Sequence, residues 1–156
     1  MSDDARFEDG GETSLNLGAL EAEDVKILSA LAQDSVFPAS EMRYQKTEQR
    51  FALLLNRFRW EDTARGNRPP ERVQSVLLIS NVQKVASSGV PRGDGDTILS
   101  LLSVKFAETD APSGQITLTL AGDGAIRLDV EALDVTLKDV TRPYLAPSKK
   151  TPDHGA

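Results

Sequence analysis

The stretch Ile116-Thr117-Leu118-Thr119-Leu120-Ala121-Gly122-Asp123-Gly124-Ala125-Ile126-Arg127-Leu128-Asp129-Val130 decides the fold. Apolar residues alternate with threonine before the glycines and with polar residues after them. A period of two places successive side chains on opposite faces of a strand. Asp-Gly between two such runs is a strong hairpin signal. The chain therefore contains an antiparallel hairpin with one apolar face, and that face needs a partner layer.

The neighbouring segments extend this pattern. Ile98, Leu102, Val104 and Phe106 read as one face of the preceding strand. Val73 to Val85 reads as the most apolar strand, with Val76, Leu77, Leu78 and Ile79 covered on both faces. Further upstream, Phe51, Leu53 and Leu55 point one way and Ala52, Leu54 and Asn56 the other. Met42 and Tyr44 alternate before them, and the polar turn Lys46-Thr47-Glu48-Gln49 makes a second hairpin. Leu15 and Leu17 suggest a short first strand.

Glu21 to Asp34 reads as a helix. Val25, Leu28 and Ala32 share a face, with Ile27 and Leu31 beside them, and Glu21, Glu23 and Asp24 lie in the first turn, where the helix dipole favours acid. Pro38 requires the helix to have ended. Past Val130 the period changes: Val130, Leu133, Leu137 and Val140 favour a closing helix over residues 131–140, although Leu133, Val135 and Leu137 also alternate.

The expected fold is α+β. Consecutive strands with short polar turns favour antiparallel pairing. A bent sheet or partly open barrel of about seven strands, with an N-terminal and a C-terminal helix, would bury both apolar stripes. A pleckstrin-homology-like barrel is one architecture with a closing helix, an analogy that carries no function. Residues 14–145 form a single expected domain between flexible tails at 1–13 and 146–156.

Composition bounds the chemistry. A chain of 156 residues with 39% apolar content can build its own core. The net charge of -6 argues against general affinity for nucleic acid or anionic membrane. There is no cysteine, which excludes disulfides, thiolate catalysis and cysteine zinc sites. The one histidine, His154, lies three residues from the C-terminus, so histidine clusters for a metal are impossible. No apolar run approaches the roughly 20 residues needed to span a bilayer. The acidic first residues lack the order of a signal peptide, so a cytoplasmic location is expected.

The most unusual segment chemically is Arg50 to Asp62. Arg50, Arg57, Arg59, Arg65, Arg68 and Arg72 lie on one strand, the loop after it and the start of the next. Arg57 and Arg59 are two apart and leave the same face. Two guanidinium forks could clamp a phosphate or carboxylate, with Trp60 stacking on a planar group. Glu48, Glu61, Asp62 and Glu71 are close in sequence, so a solvated, salt-bridged hairpin end is the plainer explanation of the arginines. Asn56, Arg57, Arg59 and Trp60 are the candidate ligand-binding residues.

Other motifs point to structure. Arg92-Gly93-Asp94-Gly95-Asp96 offers two carboxylates, too few for a calcium loop. Asp123, Asp129, Glu131 and Asp134 could supply a catalytic pair only by converging across a cleft. Gly122-Asp123-Gly124 lacks the strand-to-helix setting of a dinucleotide fingerprint. No catalytic residue, metal ligand or cofactor is assigned.

Four segments carry a family resemblance: Arg50 to Asp62, with its Asn56-Arg57-Phe58-Arg59-Trp60-Glu61 motif; Glu71 to Ser75; Ala121 to Ile126; and Asp139 to Tyr144. From about Leu15 to Pro147 the chain resembles the uncharacterised bacterial proteins grouped as domain-of-unknown-function family 2948. The resemblance implies a small cytoplasmic bacterial protein and supplies no known activity. The reading that follows is a non-catalytic binding or regulatory module, alone or as a homodimer. It recognises an anionic ligand or protein partner through the arginine-rich edge. The alternative is a small metal-independent enzyme using carboxylates and arginine. Neither a membrane nor nucleic acid is an expected partner.

Overall fold

The computed structural model describes residues 14–59, 71–90, 95–141 and 144–145. The expected tails, Trp60, and the Arg65/Arg68 and Arg92-Gly93-Asp94 segments lie outside them. Among these residues eleven strands and one α-helix follow in order: β1 (Asn16–Ala19), α1 (Ala22–Ala32), β2 (Ser35–Pro38), β3 (Met42–Gln45), β4 (Arg50–Phe58), β5 (Glu71–Ile79), β6 (Val82–Ser88), β7 (Ile98–Glu108), β8 (Gly114–Leu120), β9 (Ala125–Val130), β10 (Val135–Asp139) and β11 (Tyr144–Leu145), with a short 3-10 turn at Ala39–Glu41.

They form one antiparallel sheet, ordered β1-β10-β5-β4-β2-β7-β8-β9-β6, with β3 continuing along β4 and β11 along β5. The sheet is open, and it curls strongly. The Val82 amide at the β6 edge donates to the Gln49 carbonyl of the β3–β4 turn at 2.8 Å. One apolar cluster fills the concave side, and Val25, Leu28 and Ala32 of α1 close over it.

The defining hairpin forms as read. Ile116 pairs with Leu128 and Leu118 with Ile126, and all four side chains are buried. Its turn is centred one residue earlier than Asp-Gly. Gly122 and Asp123 take φ of 81° and 70°, the paired left-handed geometry that matches the twist of the flanking strands.

Four expectations are corrected. The closing helix over 131–140 is a strand among the described residues. β10 is inserted between β1 and β5, so both its backbone edges are paired, and it buries Val135, Leu137 and Asp139. Burial at period two outweighs the helical spacing, whose last member, Val140, is 49% exposed. Without that helix, and with an open sheet of eleven strands rather than about seven, the pleckstrin-homology-like arrangement does not hold, and the fold is strand-rich rather than evenly mixed.

The long strand from Val73 to Val85 is two strands. Asn81 takes φ of 61°, a conformation asparagine tolerates, and sends β6 to the far edge of the sheet. Finally, β7 does not keep one apolar face. A register shift between Leu101 and Ser103 moves the buried set from Leu99 and Leu101 to Val104, leaving Ile98 and Leu102 outside. No helix among the described residues is long and apolar enough to cross a membrane.

Candidate functional site

Strand β4 sets the geometry. Its inward positions run Phe51, Leu53, Leu55, Arg57, and the same parity continues to Arg59. All five are buried. The shared face expected for the two arginines exists, but it faces the interior. The expectation of a solvated hairpin end is therefore corrected for this pair: the apolar register of the strand carries both guanidinium groups inside.

Arg57 is fully buried and sits in a polar cluster built from distant parts of the chain. Its Nη2 donates to Asp139 Oδ1 at 2.9 Å, and its Nε donates to Ser75 Oγ at 2.9 Å. Nη1 donates to the Phe58 carbonyl at 3.1 Å. Ser75 Oγ donates onward to Asp139 Oδ1 at 2.7 Å. The other carboxylate oxygen, Oδ2, accepts the Leu15 amide at 2.8 Å. One carboxylate thus ties together β4, β5, β10 and the residue preceding β1. A buried charge without such partners would cost several kcal/mol, and here each side supplies the other's counter-charge.

Arg59 pairs with Glu71, Nη1 to Oε1 at 2.8 Å, one of the four near-sequence acids expected to pair with the arginines. Arg72 lies over the Phe58 ring, 3.9 Å from its centroid, and its Nη1 donates to Asn56 Oδ1 at 3.0 Å. Trp60 lies outside the described residues.

Of the three candidates among the described residues, Asn56 alone faces away from the core. It borders a recess of about 270 Å³ on the outer face of the sheet. The recess exists because β2 and β4 are joined at a single position, Val36 opposite Asn56. Val36, Pro38, Leu54 and Ile98 make its apolar walls, and Asn56, Gln74 and Glu41 add polar groups. Ile98 is 62% exposed there. Sequence reasoning missed this recess. Its signal was the outward set Ala52, Leu54, Asn56, which is apolar enough to want a cover.

The carboxylates singled out earlier are dispersed. Asp123 sits in the β8–β9 turn, whereas Asp129 lies near the opposite end of the same hairpin, where it accepts from Gln115 Nε2 at 3.1 Å. They lie six positions apart along the chain, roughly 20 Å in extended backbone. Glu131 and Asp134 serve the connection after β9 through backbone bonds to Asn81 and Ser80. Among the described residues, no three acidic or histidine side chains are placed to share a metal ion.

No curated protein matches the chain, and no solved structure does. A family model does match, over residues 15–154. The span includes the buried Arg57–Ser75–Asp139 cluster and all the strands of the sheet. The chain belongs to the family described as protein of unknown function, DUF2948.

Proposed function

We propose that the protein is a non-catalytic binding module of the bacterial cytoplasm that docks a protein partner at the recess beside Asn56. The observation that carries this reading is the recess itself: four apolar walls, an amide rim and a strongly exposed Ile98 on an otherwise paired sheet. Its volume, about 270 Å³, falls below the roughly 300–1,000 Å³ typical of small-molecule sites and suits one large side chain of a partner. Asn56 contributes an amide at the rim. Arg57 and Arg59 act beneath it, holding β4 in place through their ion pairs, and Trp60 follows on the same segment.

Photo-crosslinking tests the reading. A benzoylphenylalanine at position 98, introduced in cells, should give a discrete protein adduct, a second copy of the chain included. The same group at exposed Gln83 should not, and Leu54→Asp should abolish the adduct without loss of the folded circular dichroism spectrum. An adduct no stronger than at position 83, or one indifferent to Leu54→Asp, would sink the proposal.

A further inference from the structure

A second depression lies at the other end of the sheet, on the outer face of β8, β9 and β6. Lys84, Ala86, Gln115, Arg127 and Asp129 line about 150 Å³ there. That is about the liquid volume of five water molecules. The strand register builds it. Asp129 lies opposite both Gln115 and Lys84, and Arg127 opposite Ala86. Alanine at position 86 leaves open the space between the two cations.

Three features set this place apart from an ordinary charged surface. Lys84 and Asp129 are directly opposed, yet no ion pair within 4.0 Å joins them, and among the described residues no side-chain hydrogen bond is made by Lys84 or Arg127. A register shift between Val82 and Lys84 turns the β6 edge at this point, and bulges of this kind re-aim side chains beside binding sites. Lys105 stands in the same cross-strand row as Arg127, two strands away through Thr117, so a third cation flanks the depression. All this occurs on a chain of net charge -6, whose overall field repels anions. Attraction of an anion must therefore be local.

We infer that this depression binds a small oxyanion, a carboxylate or phosphate, that also carries a hydroxyl or amino group. Lys84 and Arg127 neutralise the anionic end through charge-assisted hydrogen bonds. Asp129 is held by the Gln115 amide and accepts from the ligand's hydroxyl or amino donor. A plain anion would meet Asp129 as a like charge, so the donor is what makes the site selective. The inference is independent of the recess beside Asn56.

Amide chemical shifts of the full chain, titrated at constant ionic strength, provide the test. The probes are succinate against malate, and inorganic phosphate against glycerol 3-phosphate, with sodium chloride as the blank. Malate or glycerol 3-phosphate should produce saturable shifts at residues 84, 86, 115, 127 and 129, and should bind more tightly than its partner lacking the alcohol. Whichever pair responds identifies the anion class. Lys84→Gln with Arg127→Gln should weaken binding roughly tenfold or more. Asp129→Ala, which removes both the charge and the acceptor, should tighten succinate or phosphate and remove the preference for the hydroxylated probe. Shifts no larger than those in chloride for all four probes, or a double Gln variant that binds like wild type, would overturn the inference. A hydroxyl preference that survives Asp129→Ala would do the same.

Discussion

Replacing Asp139 with Ala should be among the most damaging single changes in this chain. The carboxylate accepts from Arg57 Nη2 at 2.9 Å, Ser75 Oγ at 2.7 Å and the Leu15 amide at 2.8 Å, with side-chain exposures of 0% for Arg57 and 1% for Asp139. Its removal takes the Asp139 counter-charge away from a fully buried guanidinium. Breaking one side of such a pair costs about 3–5 kcal/mol. Whole domains are stable by only about 5–15 kcal/mol, so the variant should be marginal. Arg57→Met should cost a similar amount, because it strands the carboxylate. The double variant Arg57→Met with Asp139→Leu should recover much of the loss, since apolar replacement of a buried pair is often near neutral. Urea denaturation of all four proteins measures the coupling, which should reach several kcal/mol and oppose additivity. Amide exchange adds a local readout: Leu15 should lose protection in Asp139→Ala more than residues of β8. The reasoning fails if Asp139→Ala costs under about 1 kcal/mol, or if the two single costs simply add.

Three further outcomes rest on separate parts of the core. Leu118 is fully buried in mid-strand, and Leu118→Ala should cost about 2–5 kcal/mol by chemical denaturation. At Gly114 a Cβ would lie 2.6 Å from Phe106 Cζ and 2.7 Å from the Ala107 carbonyl oxygen; the ring can shift but the backbone cannot. Gly114→Ala should therefore lower stability by about 1–3 kcal/mol, and an unchanged thermal midpoint would count against the packing described there. Ser35 Oγ is buried with no hydrogen-bond partner among the described residues, so Ser35→Ala should raise stability by about 1 kcal/mol; a loss instead would mean that the hydroxyl is satisfied.

Strict alternation was the legible part of the sequence. The β8–β9 hairpin, the β3–β4 hairpin and the inward face of α1 all follow from period alone, because burying one face dictates both pattern and pairing. Three features were not legible for identifiable reasons. Residues 130–140 fit both periods, and the choice between them depends on β1 and β5 being present to satisfy both edges of β10. The end of β5 depends on the left-handed backbone of Asn81, which leaves no apolar signature. The shift of faces in β7 depends on one extra residue near Leu102. The arginines are the sharper case. Phe51, Leu53 and Leu55 already pointed inward, and counting by two from them reaches Arg57 and Arg59. Chemistry suggested solvent where parity demanded the core, and parity prevailed because Asp139, 82 residues away, supplies the charge that makes burial tolerable.

That partnership explains what an ion pair achieves here that another leucine would not. β10 alternates Val135, Leu137 and Asp139 inward with Thr136 and Lys138 outward. Apolar burial alone resists a one-residue slip, which would turn Val135 and Leu137 to solvent. The pair adds a steep charge criterion, because the same slip would bring Lys138 toward the buried guanidinium of Arg57, like charge against like. A two-residue slip keeps the apolar parity but removes the carboxylate from Ser75 and from the Leu15 amide. The cluster therefore selects one register among those that hydrophobicity permits, and it does so on the strand that positions β1 on one side and β5 on the other. β5 in turn pairs with β4 in the register that sets Gln74 opposite Asn56 at the outer recess. Under the docking proposal the arginine-rich segment would serve recognition indirectly: its inward residues fix the strand, and its outward residues, Leu54 and Asn56, would meet the partner.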